Sequence, residues 1–149
     1  MTVLAIPEVC RATSDDLAGV LALVKRHELL EAGVADAIDD FFVARSAGAL
    51  VGCAGWETYG ELGLLRSVAV DSSLRTVGLG TKLVASVAAA ARLRGLSELF
   101  LLTTTAPKFF ERRGFSSLPR SSVPARIADS WEFRVGCPES AIAMHLALK

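Results

Sequence analysis

The segment from Leu65 to Val84, LRSVAVDSSLRTVGLGTKLV, constrains this chain more than any other. It belongs to an apolar strand, Leu62 to Val70, and changes period after a short loop. Leu79, Leu83, Val84, Val87, Ala88 and Ala91 then fall on one face of a helix running from about Gly78 to Arg94. Gly95 stands where a left-handed cap is expected, and Arg92 and Arg94 complement the negative end of the helix dipole. A helix start carries N–H groups with no intrahelical acceptor and the positive end of the dipole, so it binds anions. Glycines at 78 and 80 remove side chains that would keep a pyrophosphate from the backbone, and Arg75 adds a charge-assisted donor. Two other phosphate motifs do not fit. A P-loop needs Gly-Lys-Ser/Thr where the chain has Gly80-Thr81-Lys82, and a dinucleotide fingerprint needs a third glycine where Leu83 stands.

The rest of the chain supplies a sheet for this unit. Val9 to Arg11 reads as a first short strand, and Ser14 as the N-cap of a helix whose apolar positions are Leu17, Val20, Leu21 and Val24. Val34 to Ile38 reads as a short second helix. Phe41 to Arg45 and Ala49 to Trp56 read as strands joined by a tight turn at Ser46-Ala47-Gly48, and Tyr59-Gly60-Glu61 turns the chain into Leu62 to Val70. Three strands with short links imply an antiparallel meander. Beyond the long helix, Leu99 to Leu102 is an apolar strand of the kind found at a sheet centre. Ala106 to Arg113 is a short helix ended by Gly114, Phe115 opens a strand, and Ser140 to Leu148 forms the last one. The proline-bearing stretch Leu118 to Pro138 reads as irregular. The predicted class is α/β, with one mixed, mostly antiparallel central sheet flanked by helices.

Composition narrows the partners. The 149 residues are one domain long, and 52% hydrophobic residues suffice for a single core. Sixteen basic and sixteen acidic residues cancel, which leaves no field to draw in nucleic acid or an acidic membrane, so any bound anion needs a local site. Mean hydropathy is positive, +0.44, yet the apolar stretch Leu83 to Ala91 falls short of the ~20 residues that span a bilayer. The N-terminus does not read as a secretion signal, and the expected location is cytoplasmic. Cys10, Cys53 and Cys137 are far apart and odd in number, so they read as reduced, mostly buried hydrophobes rather than a disulfide framework or zinc site. His27 and His145 have no ligand-spaced partner, and His27 reads as part of a solvated helix end; no metal is expected.

Arg-x-x-Gly-x-Gly after a strand ending in Val-Ala-Val resembles the acetyl-coenzyme A signature of the GNAT superfamily of N-acetyltransferases. The resemblance extends to TTTAPKFFERRGF, Thr103 to Phe115. It implies acetyl-CoA as co-substrate, with backbone groups of Arg75, Thr76, Val77, Gly78, Leu79, Gly80 and Thr81 around its pyrophosphate. It further implies splayed central strands, the strand at Leu62–Val70 bulging away from that at Leu99–Leu102. The pantetheine arm would lie in the gap, along Val68, Ala69 and Val70, with Thr104, Phe109 and Phe110 on the far side. The Val70 N–H would polarise the thioester carbonyl. Many family members carry a tyrosine four residues before the Gly-Phe pair, as proton donor to the leaving thiolate. Phe110 stands there in this chain and has no proton to give, so water, Tyr59 or Ser67 would have to serve.

GWETYGELGLLRSVAV, LLTTTAPKFFERRGF and SWEFRVGCPESAIAMHLAL look closest to the arsenic-resistance N-acetyltransferase-like branch, which shares features with amino-acid N-acetyltransferases. The implied acceptor is a small molecule with a primary amine, an amino acid or an amino-acid-like toxin such as an arsenical, attacking directly. Glu57 is the first candidate for the base and Glu61 the second; a solvated turn carboxylate is the plain alternative for Glu57. Arg66, a charge in an apolar strand, either grips a substrate carboxylate, with Ser67 beside it, or faces solvent. Trp131, Glu132 and Phe133 line the acceptor pocket or fill the core. Lys108, Arg112 and Arg113 meet the cofactor's 3′-phosphate or form a solvated face. A non-catalytic acyl-CoA sensor, favoured by Phe110, and a protein N-terminal or lysine acetyltransferase remain as other readings. A homodimer is compatible with all of them.

Overall fold

A computed structural model describes residues 6–136 and 139–148. The elements run β1 (Val9–Arg11), α1 (Leu17–Arg26), α2 (Val34–Ala37), β2 (Phe41–Ser46), β3 (Ala49–Tyr59) and β4 (Leu62–Val70). There follow α3 (Leu79–Leu93), β5 (Glu98–Thr103), α4 (Pro107–Arg112), β6 (Ser116–Leu118), α5 (Ala125–Ala128) and β7 (Ile142–Ala147). Among the described residues the sheet has seven strands in the order β1-β2-β3-β4-β5-β7-β6. β4 and β5 are parallel, while β1-β2, β2-β3, β5-β7 and β6-β7 are antiparallel. This is the mixed α/β sheet the pattern predicted. No helix among the described residues is long and apolar enough to cross a membrane.

The chain gathers into two compact units, one made by residues up to Trp56 with Ser67–Val87, the other by Glu57–Arg66 with the chain from Ala88 onward. In the first, α1 buries Val20, Leu23 and Val24 in a cluster with Phe41, Val43, Cys53 and Ala69. Its entry is capped at Thr13 rather than Ser14: Thr13 keeps an extended backbone and Ser14 already lies in a 3-10 turn, Ser14–Asp16. The Thr13 N–H donates to the Asp16 carboxylate at 2.9 Å, and Asp16 also pairs with Arg45. β2 and β3 are joined at Ala47 and Gly48, with φ of 52° and 84°, the two left-handed residues a tight hairpin requires. Gly52 lets Leu79 and Leu83 of α3 close on β3, and Gly55 gives room to the ring of Phe41, which is fully buried. Cys10 is exposed and Cys53 buried, so the expectation of burial fails for Cys10, which sits on a short edge strand; Cys137 lies outside the described residues.

In the second unit, β4 pairs with β5 over Leu62–Leu64 against Glu98–Phe100. β5 pairs along its whole length with β7. Leu99, Phe100 and Leu101 are all buried, as a strand covered on both faces must be. The stretch after Leu118 is less irregular than its prolines imply. It folds as a 3-10 turn (Arg120–Ser122), α5 and a π-type turn (Glu132–Gly136). Elements this short carry too few apolar residues to show a period. They still deliver Val123, Ile127 and Phe133 onto Leu64 and Phe100.

A methyl group at Gly55 would overlap the Phe41 ring, and a core with no slack does not absorb the extra volume. Gly55→Ala is therefore expected to destabilise the protein by about 1–3 kcal/mol, read as a lower urea midpoint with an unchanged slope.

Candidate active site

In the first unit the chain leaves β4 at Val70, and Asp71 N–H donates to the Val51 carbonyl at 2.9 Å. A 3-10 turn, Ser72–Val77, leads to Gly78 at φ 88°. That left-handed conformation is cheap only for glycine, so Gly78 is the joint that turns strand direction into helix direction. α3 starts one residue later than expected, at Leu79, and Lys82 N–H to Gly78 C=O at 3.1 Å is a bond of its first turn. The amides of Leu79 and Gly80 stand at the positive end of the α3 dipole. Gly80 is buried in this first turn. Of Thr76 only the backbone is described.

Arg75 is exposed, and its Nε donates to the Val70 carbonyl at 3.1 Å. Its Nη2 lies 3.3 Å from His27 Nδ1, while His27 Nε2 lies 3.3 Å from Asp71 Oδ1. A neutral imidazole with its proton on Nε2 makes both contacts hydrogen bonds, and a protonated one keeps the bond to Asp71. Arg26 Nη2 donates to the same Asp71 oxygen at 3.0 Å. His27 is thus not the solvated helix end that its charged neighbours suggested: its side chain is 15% exposed and bridges α1 to the loop. Burial alone would raise the Asp71 carboxyl, but hydrogen bonds from Arg26 and His27, and their charges, outweigh it and hold that group below its usual value.

Within β4, Ser67 is left-handed, φ 58°, at a cost of about 1–2 kcal/mol for a residue with a side chain. The irregularity falls on the strand for which the resemblance implies a bulge. Its carbonyl accepts from Cys53 Sγ at 3.2 Å. Burial pushes the Cys53 thiol up to about 12, against a smaller opposing effect of a backbone hydrogen bond from Ala69, so this sulfur is neither nucleophile nor metal ligand at neutral pH. Ser67, Ala69 and Val70 are buried and Val68 half-buried.

The second unit brings Glu57 and Arg66 together and adds two residues that the sequence did not pair with them. Arg66 Nη1 donates to Glu57 Oε2 at 3.0 Å, and Arg66 Nε lies 3.2 Å from Glu132 Oε1. Tyr59 O–H donates to Glu57 Oε1 at 3.0 Å. The Arg66 side chain is 2% exposed, against 20% for Glu57 and 9% for Glu132. The outward-facing alternative for Arg66 is therefore wrong, and Glu57 lies within β3 rather than at the turn, partly exposed and held in an ion pair. Burial pushes the Glu132 carboxyl up to about 7, the Arg66 charge opposing and the Glu57 charge adding. Burial, then the Glu57 charge and hydrogen bond, push the Tyr59 phenol up to about 12. Glu61 is exposed at the turn.

Beyond β5, Thr104 is exposed, and Thr103 Oγ1 caps the next turn by accepting from Ala106 N–H at 3.1 Å. Phe110 is 7% exposed and meets Phe109 and Phe115 edge to face, centroids 5.1 and 5.8 Å apart. Its ring is a core ring, whereas Phe109 is half-buried and keeps part of its ring at the surface, under Arg113 at 4.8 Å. Lys108 and Arg112 are exposed. Trp131 is 50% exposed and Phe133 7%, so the two aromatic rings of that stretch divide between surface and core. Among the described residues no group of three or more His, Cys, Asp or Glu is placed to hold a metal ion.

Comparison with known proteins bears on the family and the fold. The family model described as an acetyltransferase (GNAT) domain matches residues 37–117. An uncharacterised N-acetyltransferase of Chlorobaculum tepidum is 32% identical over 112 residues, which is 74% of this chain and 70% of the relative. The amino-acid acetyltransferase of Enterobacter sp. is 30% identical over 140 residues, which is 85% of this chain but 31% of the relative. The chain thus spans about a third of the amino-acid acetyltransferases it matches. A Mycobacterium tuberculosis protein solved in complex with CoA and a second ligand has a TM-score of 0.80 at 28% identity, covering 96% of this chain and 100% of that one. N-acetylglutamate synthase from Neisseria gonorrhoeae, complexed with coenzyme A and N-acetyl-glutamate, has the same fold, with a TM-score of 0.82 at 23% identity over 99% of this chain and 36% of that one.

The Asp71 ties yield a pH-dependent prediction. A carboxyl held low in the folded state contributes stability that is full above its ordinary value of 3.8 and is lost as pH falls below it. Asp71→Asn is expected to cost about 0.5–1 kcal/mol at neutral pH, and the gap to the parent should close as denaturant titrations move to acid.

Proposed function

The chain belongs to the GNAT acetyltransferase family, and on that premise we propose that residues 1–149 act as one domain transferring acetyl from acetyl-CoA to the primary amine of a small molecule. The observation that carries the proposal is the junction of β4 and α3: a left-handed Gly78 followed by a helix start whose second residue is also glycine. The fit to a pyrophosphate is chemical. The amides of Leu79, Gly80 and Thr81 are donors of the kind anions seek, and a chain of zero net charge offers no other general attraction. Arg75, Thr76, Val77 and Gly78 form the approach. Arg75 is exposed and can turn from the Val70 carbonyl to a phosphate oxygen. Val68, Ala69 and Val70 would pair with the pantetheine arm, with Thr104 and the half-buried Phe109 as further contacts; the buried Phe110 serves by supporting Phe109. When bound, acetyl-CoA supplies an acyl group activated as a thioester.

The chain's own groups then have distinct tasks. The Val70 N–H would donate to the thioester oxygen as charge builds there. Glu57 would take the proton from the acceptor's ammonium, the task expected of a carboxylate fixed by Arg66 and Tyr59. The high Tyr59 value and its bond to Glu57 make that phenol a poor proton donor to the departing thiolate, and Ser67 is buried, so we assign that proton to water. Arg66 and Ser67 border the acceptor. The acceptor class is an amino acid or amino-acid-like amine, supported by the amino-acid acetyltransferase relatives; amine-bearing arsenicals of the resembling branch fall within it. Free Cys10 and Cys53 fit a reducing cytoplasm, and a homodimer completes the proposal.

One observation favours a second reading: Phe110 in place of the usual tyrosine fits a sensor that binds acyl-CoA without turnover. A panel of amines with thiol release as readout separates the two. Acceptor-dependent release supports the transferase, and saturable acetyl-CoA binding without release supports the sensor. Gly80→Ala should raise the acetyl-CoA dissociation constant at least about tenfold in calorimetry, with a cooperative melt retained in the unliganded protein. Glu57→Gln should lower kcat by about 10²–10⁴ while acetyl-CoA still binds.

A further inference from the structure

Glu132 is absent from the reaction as derived so far, yet its carboxylate is carried into the interior by a turn built to hold it. The Arg134 N–H donates to the Ser130 carbonyl at 3.0 Å, and the Phe133 N–H donates to Ser130 Oγ at 3.4 Å. Arg120 Nη2 donates to the Phe133 carbonyl at 2.9 Å and lies over the Phe133 ring at 5.5 Å. The Phe133 ring is anchored in the cluster of Leu64, Phe100 and Ile127. The turn is of π type, a form that recurs at functional sites. A carboxylate at 9% exposure is expensive to keep from water without a partner, and its partner is the guanidinium that also holds Glu57.

That sharing has a chemical consequence. A guanidinium whose fork faced Glu57 alone would neutralise it and leave a feeble base. Here Arg66 gives Nη1 to Glu57 and Nε to Glu132, so one guanidinium is shared between two carboxylates, and the Glu57 charge acts on Glu132. Resting on the assignment of Glu57 as base, we infer that Glu132 is a positioning residue of the same site, dividing Arg66 between two carboxylates so that Glu57 can accept the proton of the acceptor's ammonium. In that step the N–H bond breaks, its electron pair stays on nitrogen, and the proton passes to a Glu57 oxygen; Glu57, the more exposed carboxylate, later returns it to solvent.

The charged and titratable groups around Glu132 come from four places. β3 gives Glu57 and Tyr59, and β4 gives Arg66. The turn itself gives Arg134, which is exposed, and the segment before α5 gives Arg120, which is bound to Phe133. Arg126 lies across the Gly60 turn and Glu61 is exposed beside it. Arg66 is paired with Glu132.

The test is the pH dependence of kcat/KM for Glu132→Gln in the full chain, by thiol release with the amine panel, beside acetyl-CoA calorimetry and a thermal melt. With Glu132 neutralised, Arg66 turns to Glu57 alone. The plateau above about pH 7, where the parent's Glu132 is ionised, should fall about tenfold while rates on the acid side converge with the parent's, with acetyl-CoA affinity within about twofold of the parent. A profile lowered by one factor at every pH, or unchanged apart from a lower melting temperature, would mean that Glu132 only supports the fold, and overturns the inference while leaving the transferase reading intact. A parent protein that releases no thiol with any amine overturns both. A carbon-13 carboxyl titration of the unsubstituted protein checks the point without a variant. Two glutamates titrating in coupled steps support it; every glutamate titrating singly in the ordinary carboxylate range overturns it.

Discussion

The backbone of Gly78 is the constraint from which the rest of the first unit follows. A residue with a side chain resists φ near 88°, and without that angle the 3-10 turn after Val70 could not hand the chain to α3 within one residue. The direction of the α3 start, and so of its first amides, is fixed by this joint. Around it the chain adds ties of a different kind: Asp71 to the Val51 carbonyl, Arg75 to the Val70 carbonyl, and His27 between Asp71 and Arg75. The loop is thereby fastened to β3, to β4 and to the end of α1. A cradle for an anion needs such fastening, because donors that must be ordered on binding lose much of their worth to entropy.

The second unit solves a different problem, that of keeping ionised groups among apolar ones. Arg66 would be ruinous in a buried strand by itself. Two carboxylates, one from β3 and one from the turn at Glu132, make it tolerable, and Tyr59 satisfies a further oxygen of Glu57. Part of the cost reappears as the raised Glu132 and Tyr59 values.

Most of the fold was legible because it rests on local pattern. β4 runs from Leu62 to Val70 as its continuous apolar character implied, and α3 and β5 fall within a residue of expectation. Gly95 and Gly114 both take the left-handed angles that end helices. The loop and helix start from Arg75 to Thr81 were readable for the same reason, since they form one unbroken segment. What escaped was set by contacts distant in sequence. Arg66 and Glu132 are paired across β4 and a late turn, and a lone charge in an apolar strand looks the same whether it faces solvent or a buried carboxylate. His27 and Asp71 meet only once α1 has docked. Nothing in Leu-Arg-Ser-Val-Ala-Val announces the left-handed Ser67, whose carbonyl accepts from the distant Cys53.

The two described cysteines differ in a way that reaches beyond catalysis. Cys53 is closed inside the first unit, its sulfur spanned by Ser67 and Ala69 and its thiol held protonated far above neutrality. Cys10 lies open on an edge strand. Soft electrophiles and oxidants that reach this protein therefore meet Cys10 long before Cys53, and a dye or spin label attached there would sit on an outer strand without entering the packed interior. The sulfur beneath the bent strand is, in effect, hidden from the solution chemistry of its surroundings.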